Sequence, residues 1–109
     1  MSAIRIEGCG ACGALWSLPR GRCLRCGSDR VEAREASGRA TLRAATLVHR
    51  TPDPAFEGLV PFRVGLVALA EGPRLMGHLA GDPPIGAALR GEVAEIAGRP
   101  LPLFSPEEA

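Results

Sequence analysis

Apolar and polar residues alternate with a period of two over a long stretch in the middle of the chain. Within residues 39–49 the small and apolar face consists of Ala40, Leu42, Ala44, Thr46 and Val48, and the other face is mostly polar. This alternation is typical of a half-buried strand. Residues 62–70 are apolar nearly throughout, which indicates a strand buried on both sides, and residues 74–79 alternate again. The pattern predicts three consecutive antiparallel strands.

Proline and glycine mark the ends of these strands. Residues 51–58 contain two prolines, an aspartate and a glycine, which predicts a loop. Residues 81–84 break the chain again, and residues 85–89 are expected to connect to a fourth strand over residues 90–96. The last apolar segment, residues 101–104, is predicted to lie at a sheet edge, because its neighbouring prolines cannot donate ladder hydrogen bonds.

These segments together predict a mainly β fold. About five short strands with little helix are typical of a small closed or partly open β-barrel. We expect a five-stranded OB-fold barrel over residues 37–109, which includes a Pro-rich C-terminal segment. An SH3-like barrel is the alternative.

The N-terminal third carries two Cys-x-x-Cys pairs, formed by Cys9, Cys12, Cys23 and Cys26. Four thiolates at this spacing match the ligand set of one tetrahedral Zn²⁺. Gly10, Gly13 and Gly27 are expected to supply the backbone freedom that such knuckle turns need. Because four protein ligands leave no open position, we expect a structural zinc ion in a rubredoxin-like zinc ribbon over residues 1–36.

Two other uses of paired cysteines fit the sequence less well. A thioredoxin-type redox site uses a single pair at a helix start, and no helical pattern adjoins either pair here. Disulfides need an oxidising compartment, and the first residues have neither an apolar core nor a cleavage signal. Zinc is therefore the preferred interpretation.

The rest of the ribbon offers two further expectations. Trp16, the only tryptophan, is expected to pack over the knuckles, and an exposed partner-docking position is the alternative. Residues 31–36 fit either a returning strand or one helical turn.

Composition and charge exclude several classes of function. The 13 basic residues against 12 acidic ones give a net charge of +1, so no global electrostatic attraction to nucleic acid or an anionic membrane is expected. The longest uncharged apolar run, residues 64–70, is too short to span a bilayer. A cytoplasmic protein is the resulting expectation.

The sequence lacks a recognisable catalytic set. His49 and His78 lie on separate predicted elements, and the chain has no second cysteine set that would join them in a catalytic metal site. It also has no Gly-rich phosphate loop and no nucleophile elbow. We therefore expect no enzyme activity from this chain alone.

The order of features resembles the zinc-ribbon plus OB-fold family called domain of unknown function 35. The resemblance covers nearly the whole chain, and the combination of ribbon and barrel is more specific than the ribbon alone. It is carried by residues 9–13, 18–20, 23–28, 37–40, 46–50, 61–62, 64–69, 71–72, 85–86 and 101–106. Members look like small accessory subunits that pair with thiolase-like acyl-CoA enzymes, including thiolases, acyltransferases and aldolases.

This resemblance implies a non-catalytic subunit that docks on a thiolase-like partner and helps bind or channel acyl-CoA. We expect the CoA path near the predicted loop, with Phe56 as an apolar tip and His49 and Arg50 at the preceding strand end. Arg50 suits a CoA phosphate, since guanidinium groups form charge-assisted hydrogen bonds with phosphate oxygens.

Nucleic-acid binding is the alternative function, because zinc ribbons and OB-folds also occur in nucleic-acid binders. Arg39, Arg43, Arg50 and Arg63 could line one face of the barrel. Single-strand binders, however, stack bases on exposed aromatic side chains along a basic groove. With one tryptophan, three phenylalanines and a nearly neutral charge, this chain is a weak candidate.

Overall fold

A computed structural model of the protein describes residues 3–107. Within these residues the chain forms β1 (Arg5–Cys9), β2 (Leu15–Trp16), β3 (Val31–Glu35), β4 (Arg39–Val48), a 3-10 helix (Pro54–Leu59), β5 (Phe62–Leu69), β6 (Arg74–Leu79), β7 (Ala88–Ile96) and β8 (Arg99–Pro106). The first three strands make a sheet in the order β2-β1-β3, and the other five close a barrel in the order β4-β5-β6-β8-β7. The predicted mainly β fold with a five-stranded OB-type barrel is confirmed.

Strand β1 organises the ribbon sheet, because it pairs antiparallel with both β2 and β3. Glu7 lies opposite Trp16 on one side and opposite Ala33 on the other. This strand was not predicted from the sequence, although Ile4 and Ile6 alternate with charged residues there. Of the two interpretations of residues 31–36, the strand is correct.

Strand β4 contains a β-bulge that changes which face of the strand is buried. Its pairing register with β5 shifts between Leu42 and Ala44. Ala40 and Leu42 are buried, whereas Ala44 and Thr46 are exposed. The single inward face predicted for residues 39–49 is therefore wrong beyond Leu42, because the extra residue of a bulge re-aims the side chains that follow it.

The barrel interior is built around Phe104, which is fully buried. Gly77 on β6 and Gly91 on β7, the two strands that pair with β8, leave room for its ring. A Cβ on Gly77 would lie 2.7 Å from the ring and one on Gly91 would lie 2.3 Å from it, well inside van der Waals contact. Any side chain at these two positions would compete with the ring for space, so the glycines permit the large central residue.

Strand β8 lies between β6 and β7, so the predicted edge position is wrong. It pairs antiparallel with β7 along its whole length and parallel with β6 at Leu103 and Phe104 alone. The Phe104 carbonyl accepts a hydrogen bond from the N–H of Ala80 at 2.9 Å, so even-numbered residues turn their backbone polar groups towards β6. Pro100, Pro102 and Pro106 share that parity, and their missing N–H groups therefore leave the long ladder with β7 intact.

The ribbon and the barrel share buried side chains. Ile4, Ile6 and Ala36 belong to the same buried cluster as Leu42 and Phe104 of the barrel. The backbone N–H of Ser37 also donates to Glu71 at 2.8 Å. The domain boundary between residues 36 and 37 stays a prediction. None of the helical structure in residues 3–107 has the length and apolar character needed to cross a bilayer.

Candidate metal centre and loop face

The four cysteines converge on one point. Their sulfur atoms all lie within 4.8 Å of one another, and Sγ–Sγ distances are 3.5 Å for Cys9 and Cys26 and 3.7 Å for Cys12 and Cys23. A disulfide requires sulfurs at about 2.05 Å, and all four thiols are free. Four sulfurs at about 2.3 Å from one Zn²⁺ in a tetrahedron would be about 3.8 Å apart, which matches the shorter distances.

The two Cys-x-x-Cys segments form the same turn twice. In the first, the N–H of Gly13 donates to the Cys9 carbonyl at 3.0 Å, and in the second the N–H of Gly27 donates to the Cys23 carbonyl at 2.9 Å. Gly13 and Gly27 have φ of 80° and 81°, in the left-handed region that favours glycine. Gly10 does not have a positive φ, so the expectation for that glycine is wrong.

Backbone N–H groups point at the two buried sulfurs. Cys9 Sγ accepts hydrogen bonds from Ala11 at 3.3 Å and Cys12 at 3.4 Å, and Cys23 Sγ accepts one from Arg25 at 3.3 Å. The N–H of Cys12 is the largest influence that lowers the pKa of Cys9 to about 6, against the effect of burial, and the N–H of Cys26 lowers the pKa of Cys23. These thiols ionise readily, and the thiolate is the form that binds metal.

Cys26 shows the opposite shift. The N–H of Ser28 favours its thiolate, but the nearby Cys9 sulfur, burial and the two other sulfurs outweigh this effect and raise its pKa to about 12. Four adjacent thiolates repel one another, so the last thiol keeps its proton when no cation is present. The donor set therefore fits a cation with four thiolate ligands, which would neutralise this repulsion and join the two knuckles.

Trp16 packs beside the cysteines, as predicted. It is 5% exposed and forms a small buried cluster with Cys9 and Cys23. Its indole Nε1 donates to Glu7 Oε1 at 3.0 Å, and the same oxygen accepts the backbone N–H of Arg20 at 2.7 Å. The partner-docking alternative does not fit this buried position.

The loop between β4 and β5 folds back on the barrel. Phe56 is buried, with its ring stacked on His78 at 5.7 Å between centroids and tilted against Phe62 at 5.6 Å. The expectation that Phe56 is an exposed apolar tip is therefore wrong. Phe62 lies on β5, His78 lies on β6, and Phe56 lies in the loop that precedes β5. OB-folds commonly bind ligands with this region.

Arg99 and Asp53 hold this loop in place, and neither residue was predicted to do so from the sequence. Arg99 Nη1 lies 2.8 Å from Asp53 Oδ2, and its guanidinium lies over the Phe56 ring at 5.7 Å. Asp53 also caps the 3-10 helix by accepting the N–H of Ala55 at 3.0 Å. The pair Asp53–Pro54 was the available signal, since aspartate followed by proline is typical of a helix start.

His49 and Arg50 follow β4 directly, and both are exposed. Within residues 3–107, Arg50 forms no ion pair with a carboxylate. Of the three residues of the predicted CoA path, one is therefore buried and two are exposed. Phe56 packs under the loop, whereas His49 and Arg50 remain open to a ligand.

Comparison with known proteins places the chain in a family. The model of the ChsH2 C-terminal OB-fold domain matches residues 33–94, which is more than half of the chain. This protein therefore belongs to the ChsH2-type OB-fold family, and the predicted relationship to the DUF35 proteins is confirmed.

Individual relatives are similar to different extents. A solved structure titled Ltp2-ChsH2(DUF35) aldolase is 34% identical to this chain, with a TM-score of 0.80. The match covers 95% of this chain and 84% of the solved chain. A DUF35 protein of unknown function from Sulfolobus solfataricus covers 96% of this chain and 76% of its own at 17% identity, with a TM-score of 0.62, and so shares the fold.

A curated relative from Thermomonospora curvata, a probable enoyl-CoA hydratase alpha subunit, is 39% identical over 79 residues. The match covers 72% of this chain and 24% of the relative. The chain thus spans about a quarter of the length of that relative.

Proposed function

We propose that this chain is a non-catalytic accessory subunit that docks on a thiolase-like acyl-CoA enzyme and helps to bind or channel acyl-CoA. The observation that carries the proposal is the similarity to the structure titled Ltp2-ChsH2(DUF35) aldolase, which extends over 95% of this chain and so includes ribbon and barrel together. The name of the enoyl-CoA hydratase alpha subunit supports acyl-CoA chemistry over the shorter matched region.

The metal in the proposed subunit is one structural Zn²⁺, with Cys9, Cys12, Cys23 and Cys26 as its ligands. A set of four thiolates favours zinc among the common divalent ions. A closed ligand set also agrees with a stabilising role, because it leaves no position for substrate.

The proposed docking surface is the outside of β4, β5 and β6. A shallow apolar groove of about 130 Å³ lies there, and its lining includes Ala44, Leu66 and Met76. Met76, which lines the groove, is 62% exposed, so a partner bound there would cover its side chain. A thiolase-like subunit is the occupant we propose, because the matched solved relative is named together with an aldolase.

The proposed CoA path runs past the end of β4. Arg50 is exposed and pairs with no carboxylate of residues 3–107, and its guanidinium would pair with a CoA phosphate. His49 lies next to it. Phe56 contributes indirectly, since its stack with His78 holds the loop that borders this strand end.

Co-expression with the thiolase-like protein of the native host tests the proposal. Wild type is expected to co-elute with the partner, and Met76→Glu is expected to weaken the complex by about ten-fold or more, because a charge would be buried in an apolar contact. Ile85→Glu is the matched control, since Ile85 is also 62% exposed but does not line the groove.

Steady-state kinetics of the complex tests the CoA path. Arg50→Ala is expected to raise the KM for acyl-CoA by about ten-fold with unchanged co-elution, whereas Arg43→Ala at the exposed bulge should change neither. If wild type neither co-elutes nor alters partner turnover, the accessory-subunit proposal is wrong. Equal behaviour of Arg50→Ala and Arg43→Ala would remove the assignment of Arg50.

A further inference from the structure

A cleft of about 260 Å³ lies where the ribbon meets the barrel. Its ribbon wall includes Trp16, Leu18 and Arg20, and its barrel wall consists of Pro73 and Arg74. Residues far apart in the sequence therefore form one small site, and no part of the proposed function accounts for it.

The walls are tied together at this point. Ser17 Oγ donates to the backbone carbonyl of Arg74 at 2.7 Å. This bond joins the segment after β2 to the first residue of β6. The width of the cleft is therefore set by contacts within the folded chain, and a ligand would meet two walls already in position.

The cleft is lined by two arginines that form no ion pair within the described part of the chain. Arg20 and Arg74, one on each wall, form no ion pair with any carboxylate of residues 3–107. Five other arginines of residues 3–107 do form ion pairs with carboxylates, namely Arg34, Arg39, Arg63, Arg90 and Arg99. The Glu7 carboxylate accepts hydrogen bonds from Trp16 and Arg20 but does not line the cleft.

One of the two cationic groups is held in place before any ligand arrives. The Arg20 guanidinium lies over the Trp16 ring at 5.5 Å from its centroid, and the Arg20 backbone N–H is bound to Glu7. A stacked guanidinium loses less rotational freedom on binding than a free one, and its N–H groups stay available to donate hydrogen bonds to a ligand.

We propose that this cleft binds a phosphate group between Arg20 and Arg74. Guanidinium groups bind phosphate oxygens through charge-assisted, often bidentate hydrogen bonds. The volume is below the roughly 300–1,000 Å³ of pockets that enclose whole drug-sized ligands, so the cleft takes the phosphate end of a larger molecule or a free phosphate ion. Leu18 and Pro73 supply apolar contacts for the group attached to the phosphate.

Three probes distinguish a phosphate group on a nucleotide from a free phosphate ion. The zinc-loaded full chain is titrated with inorganic phosphate, with 3′,5′-ADP and with adenosine, and fluorescence of Trp16, the only tryptophan, is recorded. We expect saturable binding of a phosphate-bearing probe and no binding of adenosine. Tighter binding of 3′,5′-ADP than of phosphate assigns the site to a nucleotide, and equal binding assigns it to the free ion; either result supports a phosphate site.

Matched variants locate the binding. Arg20→Gln and Arg74→Gln are each expected to weaken binding about ten-fold or more, as for a lost hydrogen bond between charged groups. Arg22→Gln and Arg43→Gln, at exposed positions outside the lining, should bind as wild type does. Zinc content and urea midpoint check that Arg74→Gln remains folded, and Arg74 has no stacking role at Trp16.

The proposal is overturned if neither phosphate-bearing probe binds wild type. It is also overturned if the Arg20→Gln/Arg74→Gln double variant binds as tightly as wild type, or if the two control variants lose as much affinity as the cleft variants. The titration needs no partner subunit. Failure of the chain to capture a thiolase-like protein would therefore leave this inference standing.

Discussion

The ribbon and the barrel reach a folded state by different physical means. The ribbon cluster contains three buried residues, Cys9, Trp16 and Cys23, whereas the cluster centred in the barrel contains ten. Burial of one large apolar side chain contributes about 1.5–3 kcal/mol, so the larger cluster, with seven residues from the barrel and three from the ribbon, stabilises the fold far more than the ribbon cluster does. The ribbon therefore depends on the cross-link that a metal ion held by its four cysteines would supply.

The two regions are nevertheless coupled. Ile4, Ile6 and Ala36 come from the ribbon side of the chain but pack in the larger cluster. The part of the ribbon nearest the barrel is therefore held by apolar contacts, and the part around the knuckles is held by the cysteines. This division can be tested by disturbing one region and measuring both.

The largest effect is expected from loss of the metal. Cys23→Ser should abolish zinc binding and unfold the knuckles, because structural zinc sites contribute roughly 10–16 kcal/mol. Metal analysis reports the loss, and amide NMR spectra should show disorder at both Cys-x-x-Cys turns with the barrel signals retained. Arg22→Ala, exposed between the two pairs, is the control that keeps its zinc. Full zinc binding by Cys23→Ser would exclude a four-cysteine site.

A smaller effect, on the opposite region, is expected from Gly91→Ala. The new Cβ would lie 2.3 Å from Phe104 Cε1 and 2.9 Å from Ile4 Cδ1, and overpacking of a core costs about 1–3 kcal/mol or more. Urea unfolding should show this loss while metal analysis still finds zinc. At Gly58 a Cβ would meet no atom within 4 Å, so Gly58→Ala is the control. Equal stability of the two variants would contradict the packing around Phe104.

The smallest effect is a pH dependence confined to the barrel. Burial lowers the pKa of His78, which stacks on Phe56 and packs against Phe62, with Arg99 on the ring of Phe56. Since the folded pKa lies below the unfolded one, neutral His78 stabilises the fold above the unfolded pKa. That contribution is lost as pH falls through the folded pKa.

Urea midpoints measured between about pH 7 and pH 5 test this expectation. Wild type should lose stability on acidification relative to His78→Phe, which keeps the aromatic stack without a titrating group. His49→Phe, at an exposed position, should follow the wild-type curve. Parallel curves for wild type and His78→Phe would show that protonation of His78 does not affect the barrel.

The sequence by itself determined the features that depend on neighbouring residues. The spacing of Cys9, Cys12, Cys23 and Cys26 sufficed to predict that their sulfurs meet, because a two-residue spacer lets both thiols of a pair turn to the same side. Alternation and turn residues likewise predicted β5, β6 and β7 close to their observed bounds, because side-chain periodicity is a local property of a strand.

Tertiary structure decided what depends on contacts between distant segments. The bulge beyond Leu42, the position of β8 between β6 and β7 and the inward packing of Phe56 all involve pairings or contacts between segments that are distant in the sequence. The prolines of β8 predicted an edge strand, because proline cannot donate a ladder hydrogen bond. In the structure they face β6, which pairs with β8 at two residues only. The cleft between Arg20 and Arg74 likewise exists only in the folded chain, because no local pattern records which remote side chains become neighbours.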